Sequence, residues 1–177
     1  MPRWLIFVLA LVVLLLGQLP LWAVVPDDDM APSLLPGDWV LLWKRSPQAG
    51  EVVAVVDPLD SGRWTLRRVE ALEGKVSYEG GILMGPQSGD VLELGREGGM
   101  VYAQEGEHLL WHLPTAVRWD MEELIIPEGT MFLSSDNREA GMDSRWWGPV
   151  PLEAVQGVVL FRVGVPGHRW RGWGGKP

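Results

Sequence analysis

Three consecutive carboxylates, Asp27-Asp28-Asp29, are the densest chemistry in this 177-residue chain, and they stand directly behind a long apolar run. Asp27 and Asp29 are two residues apart, so on a strand they share a face, where like carboxylates can share a proton as in an aspartic dyad. With Asp136 or Asp143 the run could supply oxygen ligands to a hard cation; otherwise it is a solvated acidic face. Hydroxyl nucleophiles stand at Ser33, Ser134, Ser135 and Ser144, and the amines that could serve them are Lys44, Lys75 and Lys176. Ser33 with Lys44 is the best of these pairs, whereas Ser134, Ser135 and Ser144 read as turn and hydrogen-bonding residues. His108 and His112 have the i, i+4 spacing of a helical metal pair, but Pro114 follows closely and the chain has no Cys. They read as surface-loop residues, with no metal and no other cofactor expected.

These groups must be positioned by short elements. The chain is 47% hydrophobic and 21% charged, with 22 Gly and 14 Pro, so it can bury a core but interrupts its elements often. The absence of Cys excludes a disulfide scaffold and a thiolate metal site. A net charge of −8 argues against nucleic acid as a partner, because phosphate contacts need a basic surface. Candidate strands are Trp39–Lys44, Glu51–Val56, Arg63–Leu72, Lys75–Tyr78, Ile82–Met84, Val91–Leu94, Met100–Ala103, Thr130–Ser134 and Gly157–Val163. They are rich in Val, Ile, Leu and Trp and separated by Gly and Pro breakers, an all-β pattern. Trp146 and Trp147 read as core or turn packing, with exposed sugar-stacking rings as the alternative.

The apolar run Trp4–Val25 carries no charge and, as a helix, would be about 33 Å long, enough to cross a ~30 Å hydrocarbon layer. Arg3 precedes it and three acids follow, so the positive-inside rule puts the amino terminus in the cytoplasm and the rest outside. The expected organisation is a transmembrane anchor over residues 1–25 and a β domain over 26–165, with a hairpin-rich region at about 73–127. A tail over 166–177 completes it. From Arg162 onward His168, Arg169, Arg171 and Lys176, with Trp170 and Trp173, face no acid, which reads as a disordered terminus or a contact with anionic lipid.

Three motifs share one resemblance. Met30-Ala-Pro32-Ser-Leu with Gly37-Asp38-Trp-Val, then Arg67-Arg68-Val69 running to Gly74, then Ser135-Asp136-Asn137-Arg138 … Asp143-Ser144-Arg145-Trp-Trp147-Gly148-Pro-Val150-Pro151 resemble, in order, the nucleophile segment, the general-base strand and the third conserved block of type I signal peptidases. Those are membrane-anchored serine endopeptidases (peptidase S26) that work through a Ser/Lys dyad. The resemblance implies a mostly antiparallel β domain behind one N-terminal transmembrane helix. It also implies a groove, with Met30 and Pro32 as substrate-binding residues, that takes an extended substrate as an added strand. It further implies that Arg68 and Arg145 pair with Asp136 and Asp143 as a structural tie.

The family's active-site positions are substituted. Its nucleophilic Ser corresponds to Asp29, its base Lys to Arg67, its oxyanion-assisting Ser to Asp27 and its base-orienting Ser to Gly141. An arginine stays protonated in proteins and cannot accept the proton of an attacking hydroxyl. An anionic Asp27 would repel a developing oxyanion. An Asp29–Arg67 ion pair is expected instead, holding Asp29 ionised. The expected protein is a pseudoenzyme at the cell membrane that binds exported preproteins or an active signal peptidase. An active peptidase with relocated residues and a Trp-rich surface-binding module are the alternatives.

Overall fold

The computed structural model describes Trp4 and residues 20–79, 82–86, 91–97, 100–105, 108–112 and 120–164. Within these the strands are β1 (Leu21–Val24), β2 (Trp39–Trp43), β3 (Val52–Asp57), β4 (Asp60–Ala71), β5 (Lys75–Glu79) and β6 (Ile82–Met84). They continue with β7 (Val91–Glu97), β8 (Met100–Glu105), β9 (His108–His112), β10 (Met121–Ile125) and β11 (Thr130–Ser134), and then the one-turn helix α1 (Ser144–Trp147). The short β12 (Val150–Pro151) and the long β13 (Val155–Val163) close the described chain.

Seven strands form the main sheet in the order β1-β2-β13-β3-β4-β11-β12. Alternation explains it: in β2, Val40 and Leu42 point into the core while Trp39 and Trp43 face outward. Strand β4 is buried on both faces from Thr65 to Ala71, so it carries the centre of the domain. One core cluster joins Val25, Met30 and Leu34 to Val40, Leu42, Ala54 and Leu66. It packs the segment after β1 against β2, β3 and β4. A second cluster, with Val53, Val69 and Leu133 among its members, fills the space beneath β3, β4 and β11. The hairpin-rich region builds two three-stranded sheets, β10-β5-β6 and β7-β8-β9.

Two open strand edges flank the segment that follows β1. Strand β1 pairs only with β2, and β11 meets β4 only from Arg68 onward, leaving Asp60–Arg67 paired on one side alone.

Two expectations need correction. The apolar run is not helical to Val25: Leu21–Val24 is a strand in register with Trp39–Leu42. Pro20 is the physical reason, since proline ends helices and the following residues find open ladder partners in β2. Of the anchor expected over residues 1–25, residues 1–3 and 5–19 lie outside the described residues, and among the described ones no helix is long and apolar enough to cross a membrane. His108 and His112 are not in a loop but at the two ends of β9. Residues i and i+4 of a strand lie about 13 Å apart, too far to share a metal ion. The tail over 166–177 also lies outside the described residues.

Candidate active site

The site is built where the segment after β1 meets the middle of β4. Arg67 is 3% exposed, and all of its donor groups are engaged. Nη2 donates to Asp29 Oδ2 at 2.7 Å, while Nε and Nη2 both donate to the Met142 carbonyl at 3.0 and 2.8 Å. Nη1 donates to Thr65 Oγ1 at 2.6 Å and to the Leu66 carbonyl at 2.5 Å. The guanidinium carbon also lies 5.6 Å from the centre of the Trp147 ring, within cation–π range. A guanidinium bonded on every side is fixed in place and has no free lone pair to offer as a base.

Asp29 stands opposite, 8% exposed, with its backbone carbonyl accepting from the Asn137 N–H at 2.9 Å. Burial pushes its carboxyl above the ordinary aspartate value, Arg67 pulls it back, and the neighbouring charges of Asp27 and Asp28 push it up again. Burial is the largest of these effects, and the ion pair with Arg67 is present against it. Asp27 turns away from the pair, accepting from the Asp29 N–H at 3.3 Å and from Arg63 Nη2 at 3.1 Å. Asp27 and Asp29 thus engage different cations and do not share a proton.

Gly141 is at φ +74°, and a β-carbon there would fall 2.7 Å from the Asp29 carboxyl carbon. Met30 and Pro32, which the resemblance puts in a substrate groove, are buried; Met30 packs in the core beneath the Asp29 segment. Ser33 Oγ lies 3.3 Å from Arg68 Nη2 and accepts from it, whereas Lys44 is exposed beyond the end of β2. The hydroxyl of Ser144 accepts from the Leu133 N–H at 2.9 Å, and that of Ser134 bonds Glu70. Among the described residues no group of three or more His, Asp or Glu could hold a metal ion.

The surrounding frame is ionic and largely buried. Arg68 grips Asp136 through both ends of its fork, at 2.7 and 2.5 Å, and Arg145 grips Asp143 in the same way at 2.8 Å twice. Burial opposes ionisation of Asp143, but Arg145 and the backbone N–H groups of Ser135 and Arg145 outweigh it and hold its carboxyl low. Adjacent residues of β4 thereby serve two faces, with Arg67 toward Asp29 and Arg68 toward Asp136.

A model of the family "Signal peptidase, peptidase S26" matches residues 1–164. The chain belongs to that family. It is 28% identical over 159 residues to a probable signal peptidase I-1 of Synechocystis, covering 82% of this chain and 71% of that one. It is 27% identical over 158 residues to thylakoidal processing peptidase 1 of Arabidopsis thaliana, where the match covers 80% of this chain but only 41% of the relative. A signal peptidase I from Enterococcus faecalis superposes with a TM-score of 0.43 at 22% identity, over 65% of this chain and 97% of that one.

Within the signal peptidase family pattern, several groups that matter here carry no sequence signal. The Met142 carbonyl and Thr65 complete the cage around Arg67, and Asn137 Nδ2 donates to the Asp28 carbonyl at 3.2 Å. Backbone acceptors are the same for every residue type, so only the fold can reveal them. A second buried network sets Glu70 of β4 and Glu105 of β8 against Arg138, at 3.4 and 2.7 Å. It ties the β7-β8-β9 sheet to the main sheet.

Proposed function

We propose that this signal peptidase I-like protein is anchored in a membrane by its apolar N-terminal run and binds extended peptide segments without hydrolysing them. The peptide is a stretch of an exported chain or part of an active peptidase. One observation carries the loss of chemistry: a fully engaged Arg67 guanidinium stands against Asp29 where a proton acceptor and an alcohol are required. A hydroxyl attack on an amide needs a neutral amine beside it, and an arginine cannot supply one. A carboxylate held by that cation is a poor nucleophile toward an amide. Binding is supported by open strand edges at β1 and at Asp60–Arg67 of β4, which the Asp27–Arg63 and Asp29–Arg67 pairs connect. An added strand could satisfy their free backbone groups. The membrane location is supported by the apolar run itself and by a relative named as a mitochondrial inner membrane protease subunit.

The test is a fluorescent signal-peptide substrate offered to the detergent-solubilised full chain. Saturable binding without cleavage is expected. Cleavage that disappears in Asp29→Asn would overturn the reading, and absence of any binding would remove the peptide role.

A further inference from the structure

The segment after β1 and the first part of β4 are held together by side chains. Ala23 of β1 and Trp64 of β4 pack on the same core cluster, so the two stretches of chain lie beside each other. Strand β3 lies against one side of Asp60–Arg67, and β11 joins the other side only from Arg68 onward. Among the described residues no backbone hydrogen bond links Val25–Asp29 to Asp60–Arg67. Two ion pairs make the connection instead: Arg63 Nη2 lies 3.1 Å from Asp27 Oδ2, and Arg67 Nη2 lies 2.7 Å from Asp29 Oδ2.

The two pairs are unequal. The inner one is buried, with side-chain exposures of 3% for Arg67 and 12% for Asp29, and the Met142 carbonyl and Thr65 also hold the guanidinium. The outer one stands in solvent, with 55% of the Arg63 side chain and 24% of Asp27 exposed. Among the described residues Asp27 is the hydrogen-bond partner of the Arg63 side chain. An exposed pair of this kind shifts an equilibrium by only about two- to fivefold, and salt weakens it far more than it weakens a buried one. The connection between the segment and β4 is therefore firm at Arg67 and easily opened at Arg63.

We infer that the Asp27–Arg63 ion pair is a clasp over the edge of β4. Closed, it bars an incoming strand from the backbone groups of Asp60–Arg67; open, it admits one, while the buried Asp29–Arg67 pair keeps the two segments together. The role of the clasp as a gate rests on the peptide-binding reading of this site. Its own opening and closing do not.

The chain has no Cys, so nitroxide labels at Pro26→Cys and Ser61→Cys, both exposed positions, report the gap directly in the detergent-solubilised full chain. The label distance should lengthen and broaden with Arg63→Ala, and in about 0.5 M salt with the native pair. The charge-swapped combination of Asp27→Arg with Arg63→Asp should return it to the native value. In the unlabelled chain, Arg63→Ala should bind a fluorescent signal peptide about two- to fivefold more tightly, and the swap should reverse the gain. A label distance that Arg63→Ala leaves unchanged would overturn the clasp, as would tighter binding that the swap does not reverse. Labels that separate while peptide affinity stays native would make the pair a structural tie and overturn the gate. If the labels separate and no variant binds peptide, the peptide-binding reading fails and the clasp stands on the distances alone.

Discussion

Gly141 and Asp29 exclude each other's alternatives. A β-carbon on Gly141 would come within 2.7 Å of the Asp29 carboxyl carbon and of Oδ2, and 2.9 Å of Oδ1. Any side chain at 141 must displace that carboxylate, which is bound to Arg67 at 2.7 Å. The substitutions at the family's nucleophile, base and base-orienting positions therefore form one steric and electrostatic unit.

A double-mutant cycle measures this. Gly141→Ser in the native background should cost about 1–3 kcal/mol for a positive φ and further free energy for shifting Asp29 off its cation. In an Asp29→Ser background the backbone strain remains while the charge conflict is gone. Urea denaturation should give a smaller cost there; equal costs would show that the two positions are uncoupled.

Partial repair should be unproductive. Arg67→Lys alone leaves Asp29 in the nucleophile position, and Asp29→Ser alone leaves an unpaired buried guanidinium, which costs about 3–5 kcal/mol. Asp29→Ser, Arg67→Lys, Asp27→Ser and Gly141→Ser together should restore measurable cleavage of a signal-peptide substrate. Using Asp29→Ala in place of Asp29→Ser in that combination should abolish it.

The Arg68–Asp136 fork is buried on both sides, with side-chain exposures of 9% and 2%. Asp136→Ala strands a cation in the interior and should lower stability by about 3–5 kcal/mol. Arg63→Ala, which breaks the more exposed pair with Asp27, should change it by less than about 1 kcal/mol. Paired chemical denaturation curves distinguish the two.

Acid affects these carboxylates in opposite senses. Asp29 has a raised folded pKa, so its folded form holds a proton more tightly than the unfolded chain, and its ionisation lowers stability as pH rises through that raised value. Asp143 has a depressed one, so its contribution is present above the unfolded value and lost as pH falls through the folded one. Relative to Asp29→Asn, the native chain should gain stability as pH falls from neutral toward the ordinary carboxylate range. Relative to Asp143→Asn it should lose its advantage at lower pH. Urea midpoints followed from pH 7.5 to well below the ordinary aspartate value test both signs.

Strands β2, β4, β8, β11 and β13 were legible because each is a short Val-, Leu- or Trp-rich run between breakers, and period two marks it without reference to anything else. Strand β1 was not. Its Leu-Trp-Ala-Val continues an apolar run, and hydrophobicity alone cannot tell where a helix pattern yields to a strand that needs a partner fifteen or more residues ahead. Strand β9 was hidden behind a histidine spacing that suits helix and strand at very different distances. Strand β10 carries adjacent Glu122 and Glu123, which weaken its pattern.

By itself the amino-acid sequence determined the β character, the order of the three motifs and the replacement of an alcohol and an amine by an acid and a guanidinium, because those are properties of residue types. Tertiary structure alone decided that Arg67 spends every donor, that Asp29 is pushed upward despite its partner, and that Gly141 leaves the space Asp29 occupies. Each of these depends on distances between segments far apart in the chain. Burial, hydrogen-bond saturation and steric exclusion arise only when those segments meet.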